Sequence, residues 1–197
     1  MLPPGVAAAS PAPPAPPSTA RLFVALWPPL TVRAALQRVA WRWTWPAGAR
    51  RVPARDLHLT LHFLGAVPRT DVPALQAALA VPCPAFTLEL DRAEVWRHGT
   101  AVLAAAAVPP ALVTLHAALG ERLRAVGLRT EARPFRAHVT LARHALQAEP
   151  PAEPWRVRWP VHDVVLVESR SGVARAAGAY RVLQRYGAAA RAPAAAR

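Results

Sequence analysis

The sequence predicts an α+β protein, as one bilobal unit or as two α/β-like lobes. Two observations carry this. Segments with the two-residue alternation of strands and segments with the three-to-four-residue spacing of helices are interleaved along the chain. One short strand pattern, His-x-Thr-x, occurs as His58-Leu59-Thr60-Leu61 and again eighty residues on as His138-Val139-Thr140-Leu141. In each copy the alternation sets an imidazole and a hydroxyl on one face and apolar side chains on the other. Such a pair is expected of two half-sites related by internal duplication.

In chain order, residues 1 to about 20 consist almost wholly of Pro, Ala, Ser and Gly. They have little apolar bulk to bury and many missing N–H donors, which predicts a disordered tail. The folded unit is expected to span 21–186. Leu22 to Trp27 is a continuous apolar run stopped by Pro28-Pro29, hence a buried strand. Thr31 is a candidate cap for a helix with Val32, Leu36, Val39 and Trp43 on its core face. Trp41 and Trp45 flank that stripe and are assigned with Trp43 to the core or a lobe interface. Arg50 to Arg55 leads into the first His-x-Thr-x strand, which Gly65 and Pro68 close.

Thr70-Asp71 open a helix with Pro73 in its first turn and Leu75 and Leu79 inward. Cys83 lies in the turn Pro82-Cys83-Pro84, with nothing near it to mark a nucleophile. Phe86–Leu90 alternates as a half-buried strand, and 101–108 is predicted as its hairpin partner, with the turn at 96–100. Pro109-Pro110 start a helix whose stripe is Leu112, Leu115, Leu119, Leu123 and Val126, with Gly127 beyond its end. His116 lies beside that stripe as a packing residue. After the second His-x-Thr-x strand come a Pro- and Glu-rich loop at 146–154, a strand over 161–167 and a last strand over 180–186. An Ala/Arg tail is expected over 187–197.

Composition narrows the partner. Basic residues outnumber acidic ones 24 to 11, for a formal net charge of +13, and all 24 are arginine. A GC-rich coding sequence accounts for arginine in place of lysine, but not for the excess of bases. Charge of this sign draws anionic partners, and the planar guanidinium suits phosphate, so nucleic acid leads the partner classes. With a single cysteine, neither an intrachain disulfide nor a thiolate zinc site is possible, consistent with a reducing compartment. No apolar run approaches the length of a membrane span, and no secretory signal is evident, which points to the cytoplasm.

If the two motif strands face each other across a cleft, two imidazoles and two hydroxyls converge. Thr60 and Thr140 could then donate to a phosphodiester while one histidine deprotonates a nucleophile and the other protonates the leaving oxygen. No metal or cofactor is required. The residues alone leave the two proton roles interchangeable.

Three segments together resemble the 2H phosphoesterase superfamily, and within it the RNA 2′,3′-cyclic phosphodiesterases, also called 2′-5′ RNA ligases. They are Arg21 to Leu26, His58-Leu59-Thr60-Leu61-x-Phe63-Leu64-Gly65, and Arg133-Pro134-Phe135-x-x-His138-Val139-Thr140-Leu141-x-Arg143. The resemblance covers about 21–186. It implies two antiparallel sheets with pseudo-twofold symmetry around a cleft, helices outside, and metal-independent opening of an RNA-terminal 2′,3′-cyclic phosphate to a 2′-phosphate. Reversible 2′-5′ ligation is a related activity of the family. By the same resemblance His58 is the proton donor, His138 the proton acceptor, and Thr60 and Thr140 hold the nonbridging oxygens.

Arg143 matches a family arginine, yet ideal alternation sets it on the face opposite His138; a bulge or the strand's end must re-aim it for a phosphate contact. Ala137 replaces a proline common in the family. His62 shares the parity of His58 and is assigned to packing or the cleft rim, and His98, His144 and His162 to solvent. The alternatives within this fold are a cyclic phosphodiesterase for small nucleotides or ADP-ribose cyclic phosphate, and a non-catalytic module binding RNA ends. Two lobes closing one cleft need no second subunit, so a monomer is expected.

Overall fold

The structure is a computed structural model that describes residues 18–152, 154–170 and 178–187. The segments expected as terminal tails lie outside the described residues, apart from 18–20 and Gly187. Strand β1 (Thr19–Leu26) already begins at Thr19, so Thr19 and Ala20 belong to the fold rather than to the tail. It is covered on both faces, with Leu22, Val24 and Leu26 toward the main core and Phe23 and Ala25 in a smaller cluster with Val165 and Val167. That is why the sequence shows a continuous apolar run there rather than alternation.

Helix α1 (Leu30–Trp41) starts from Pro29, whose carbonyl accepts from the Arg33 N–H at 2.9 Å. Thr31 is therefore inside the first turn and caps nothing, because the extended conformation of Pro29 already sets the helix entry. Val32, Leu36 and Val39 are buried as predicted, and Trp43 follows them into the core. Trp45 stacks on Trp43 with centroids 5.0 Å apart and donates to the Ala40 carbonyl. Trp41 departs from its assignment: it stands on the outer side of the helix and is 70% exposed.

Two four-stranded antiparallel sheets follow. The first has the order β10 (Tyr180–Gly187), β9 (Asp163–Ser169), β1, β3 (Leu59–Pro68). The second has the order β2 (Arg50–Arg51), β7 (His138–Arg143), β6 (Thr100–Ala104), β5 (Arg92–Trp96). Each carries one motif strand. A separate two-stranded ribbon joins β4 (Phe86–Leu90) to β8 (Val157–Val161). The expected pairing of β4 with the strand at 101 is thus wrong. Its partner lies about seventy residues away, and β6 pairs instead with β5, whose alternating charges hid it from an apolar-run reading.

The strand expected over 161–167 is likewise divided between the end of β8 and most of β9, turning at His162. Pro160 is tolerated in β8 because that strand has a neighbour on one side only. The strand read as 101–108 stops at Ala104, where Ala105 and Ala106 leave the ladder to bond Ala137 and the Asp91 carboxylate.

Helix α2 (Val72–Ala78) has proline in its first turn and buries Leu75, with Leu79 just beyond. Helix α3 (Pro110–Ala125) buries Leu112, Leu115, Leu119 and Leu123. Val126 ends the stripe outside the core, at 42% exposure, because the helix has already terminated there. One continuous core joins α1, α2, α3, the ribbon and the inner faces of both sheets. Cys83 is buried within it, and burial pushes its thiol up to about 11. No described helix is long and apolar enough to cross a membrane.

Candidate active site

The two motif strands share a feature that alternation alone does not reveal. In β3, Thr60 pairs with Ala25 and His62 with Val24, so Leu61 is an extra, unpaired residue. In β7, Thr140 pairs with Val102 and Ala142 with Ala101, so Leu141 is the extra residue. The fourth position of each His-x-Thr-x motif is a β-bulge. A bulge interrupts the period of two, so residues beyond it exchange faces.

This resolves the parity of Arg143. The bulge at Leu141 sends Ala142 into the core and returns Arg143 to the face of His138 and Thr140. Its charge acts on both His58 and His138. The same device in β3 places His62, whose parity was expected to match His58, opposite Val24 instead. His62 is 5% exposed, its Nε2 lies 2.8 Å from the His116 carbonyl, and its ring stacks on the His116 ring at 4.1 Å. Since a carbonyl only accepts, His62 carries its proton on Nε2. Phe135 covers the other face of His116 at 4.2 Å. His62 and His116 thus stack on each other and also border the cleft that Thr60 and His138 line, and His98, His144 and His162 are exposed.

The two motif histidines are anchored alike. His58 Nδ1 lies 2.6 Å from the carbonyl of Asp56, and His138 Nδ1 lies 2.7 Å from the carbonyl of Arg136. In each case the partner is the residue two places earlier. The carbonyl fixes the proton on Nδ1 and leaves Nε2 without a protein partner among the described residues. A neutral ring then offers a lone pair at Nε2, and a protonated ring offers an N–H there. The bulges set the strand course and the carbonyls set the tautomer, so both rings are held ready for proton transfer through the same nitrogen.

Their surroundings differ. His58 sits in an aromatic box: Trp27 stacks at 5.5 Å, Phe23 lies at 4.9 Å, and Tyr180 of β10 meets it edge-on at 5.0 Å. Burial lowers the His58 pKa. The Asp56 carbonyl and carboxylate oppose that shift, while the charges of His138 and Arg143 add to it. The Asp56 side chain is itself buried, beneath a 3₁₀ turn at Ala54–Asp56.

His138 rests on Trp96 of β5 at 4.4 Å, and the Arg136 guanidinium covers the same indole at 4.3 Å from its centroid. Glu94 ties this wall together, accepting from Trp96 Nε1 at 2.6 Å and from Arg136 at 2.7 Å. Those bonds, the indole N–H foremost, hold the Glu94 carboxyl below its usual range against the opposing effect of burial. Burial also lowers the His138 pKa. The Arg136 carbonyl opposes this, the guanidinium charges of Arg136 and Arg143 reinforce it, and Glu94 offsets part of their effect.

Thr60, His138, Phe63, Phe135 and Arg136 line one cleft of about 510 Å³. Thr140 is half-buried on the His138 face of β7. Among the described residues no three His, Cys, Asp or Glu side chains are grouped so as to hold a metal ion.

Asp56, Trp27 and Tyr180 around His58, and Glu94 and Trp96 around His138, escaped the sequence reading. Asp56 carried a signal, as the only acid close to either motif and two residues from a motif histidine. Tyr180 carried none, since only the return of β10 to the first sheet brings it near.

A bilobal α+β fold with His–Thr strands facing one cleft from two antiparallel sheets defines a 2H phosphoesterase. By sequence the chain belongs to the 2′-5′ RNA ligase superfamily, whose family model matches residues 24–172. It is 37% identical over 142 residues to the RNA 2′,3′-cyclic phosphodiesterase of Escherichia coli K12, covering 68% of this chain and 80% of that protein. Among solved structures, E. coli LigT complexed with 3′-AMP superposes with a TM-score of 0.74 at 31% identity, over 86% of this chain and 98% of that one. TT0787 of Thermus thermophilus superposes with a TM-score of 0.65 at 31% identity, over 85% and 97% respectively.

Proposed function

We propose that the protein opens the 2′,3′-cyclic phosphate at an RNA 3′ end to a 2′-phosphate, using His58 as general acid and His138 as general base. The observation that carries this is the matched pair of Nδ1-anchored imidazoles in unmatched electrostatic surroundings. At His58 the foremost charge is the Asp56 carboxylate, which favours the charged ring against His138 and Arg143; at His138 it is the Arg136 guanidinium, which with Arg143 disfavours the charged ring against Glu94. An acid must hold its proton at rest and a base must lack one, so the surroundings support these roles.

In this scheme His138 Nε2 takes a proton from water, and the oxygen attacks phosphorus in line with the P–O3′ bond. That bond breaks as His58 Nε2–H protonates O3′. The products are a 3′-hydroxyl and a 2′-phosphate, and proton exchange with solvent resets both rings. Thr60 and Thr140 donate to the nonbridging oxygens, and Arg143 offsets the charge that builds on them. Positioned proton transfer of this kind contributes about 10²–10⁴-fold per group and requires no metal. With a ribose 5′-hydroxyl attacking in place of water, the same geometry would form a 2′-5′ linkage as the P–O3′ bond breaks. Both walls of the cleft come from one chain, so a monomer suffices, and the cytoplasm provides both RNA ends and a reducing milieu.

The test is hydrolysis of an oligoribonucleotide bearing a 2′,3′-cyclic phosphate, with EDTA present, followed by identification of the product isomer. The expected product is the 2′-phosphate, formed at the same rate with or without chelator. An intact substrate, a 3′-phosphate product, or loss of activity with EDTA would contradict the proposal.

A further inference from the structure

Two unlike cavities adjoin the motif histidines. The one bordered by Thr60 and His138 is aromatic, with Phe63 and Phe135. The other, a basin of about 800 Å³, is lined by Arg50, Arg51, Asp56, Gly48 and Ala179, among others. Asp56 ties this basin to His58, because its carbonyl holds His58 Nδ1. Ala179 ties it to the aromatic box, as the neighbour of Tyr180.

Arg50 occupies a particular place in that wall. In the β2–β7 ladder it is the register partner of Arg143. Directly opposed residues of an antiparallel pair share a face, with Cα atoms roughly 4.5–5.5 Å apart. The bulge at Leu141 has already turned Arg143 to the His138 face, so Arg50 is turned the same way. Arg50 is exposed, and its side chain has no hydrogen bond or ion pair among the described residues. Two neighbouring guanidinium groups repel unless anions lie against them. Arg143 has the scissile phosphate to face; Arg50 has nothing within the described protein.

In-line chemistry sets the side on which the substrate ribose lies. The departing O3′ faces His58, so the ribose that carries it lies on the His58 side, and water enters from the His138 side. A strand continuing from the 5′ oxygen of that ribose could then reach the basin, which Asp56 joins to His58.

We propose that Arg50 and the basin beside it form a subsite for the phosphodiester on the 5′ side of the cyclic-phosphate nucleotide. The protein thereby acts on the ends of polynucleotide strands in preference to free cyclic nucleotides. This rests on the cyclic phosphodiesterase reading and specifies its substrate class. The fork of Arg50 suits the two nonbridging oxygens of a phosphodiester, and Gly48 in the same wall leaves room for a ribose to approach the backbone.

The test compares kcat/KM for a mononucleotide 2′,3′-cyclic phosphate and for a dinucleotide with the same terminal residue, in wild type, Arg50→Gln, Arg50→Lys and Arg158→Gln. Wild type is expected to prefer the dinucleotide by about tenfold or more, mainly through KM, with a preference that shrinks as salt rises. Arg50→Gln should remove the preference and change mononucleotide hydrolysis less than about twofold, while Arg50→Lys keeps part of it. Arg158→Gln, which removes a charge on β8 paired with Glu89, should preserve the preference. Equal wild-type rates on the two substrates, or an Arg50→Gln effect that is nil or equal on both, would overturn the subsite while leaving the phosphodiesterase intact. A wild type inert toward both substrates would overturn the phosphodiesterase reading and the subsite with it.

Discussion

The two halves of the cleft differ less in backbone than in what the backbone carries. Each has a histidine anchored through Nδ1 to the carbonyl two residues earlier, a threonine two residues on, and a bulge at the next leucine. In each, the bulge turns the fifth residue after the histidine back to the catalytic face. There the halves part: that residue is Phe63 in β3 and Arg143 in β7. The rings around His58 are Trp27, Phe23 and Tyr180 with a buried carboxylate behind them, whereas His138 has one indole clamped between Glu94 and Arg136. Symmetry supplies two equivalently anchored imidazoles, and in the proposed mechanism the asymmetry of their neighbours divides the labour between them.

Removing either histidine should break the pair most severely. His58→Ala and His138→Ala are each expected to lower kcat on the cyclic phosphate by about 10²–10⁴-fold. The double variant should fall short of the product of the two losses, because the groups act as one unit. Steady-state rates of the three variants decide this.

Next come the proposed phosphate contacts. Thr60→Ala, Thr140→Ala and Arg143→Leu should each cost about 1.5–3 kcal/mol in transition-state binding, or roughly ten- to a hundredfold in kcat/KM. Phe63→Leu, the change at the position equivalent to Arg143, should cost less, since it removes no charge. A Phe63 effect as large as that of Arg143 would mean that the halves are functionally alike there.

Asp56→Asn sharpens the comparison through pH. The Asp56 carboxylate raises the His58 pKa, so its loss lowers it. The proposed acid would then lose its proton at lower pH, and the alkaline limb of the kcat/KM profile should move acidward. The acidic limb, set by deprotonation of His138, should hardly move. Movement of the acidic limb alone would exchange the assignments.

The smallest effect concerns stability. Burial, with His62 beside it, lowers the His116 pKa from the ordinary imidazole value to about 4. The unfolded chain therefore binds the proton first as pH falls, so His116 contributes stability above about pH 6.5 that is lost progressively toward pH 4. His116→Phe should flatten that part of the pH dependence of the urea midpoint. An unchanged slope would show that His116 is not protonated differently in the two states.

Much of this was legible in the chain because the relevant signals are local. His58, Thr60, His138 and Thr140 share faces by simple alternation, and the stripes of α1 and α3 declare their buried sides. The bulges were not legible: Leu61 and Leu141 are ordinary strand residues, and only the pairing register exposes them as extra. That one feature explains both the awkward parity of Arg143 and the mistaken parity of His62. Long-range pairing was equally hidden. Phe86–Leu90 alternates as a strand should, but nothing within it names Val157–Val161 as its partner. The box around His58 is assembled from β1, its C-terminal end and β10, so no window of sequence contains it.

The division of labour is tested most directly with a substrate that needs no acid. A ribonucleotide phosphodiester with a p-nitrophenolate leaving group departs without protonation, while attack by water still needs a base. His58→Ala should hydrolyse it within about tenfold of wild type yet remain severely impaired on the cyclic phosphate, and His138→Ala should be impaired on both. If His138→Ala were the variant rescued and His58→Ala the one that stayed inactive, the roles assigned from Asp56 and Arg136 would be reversed.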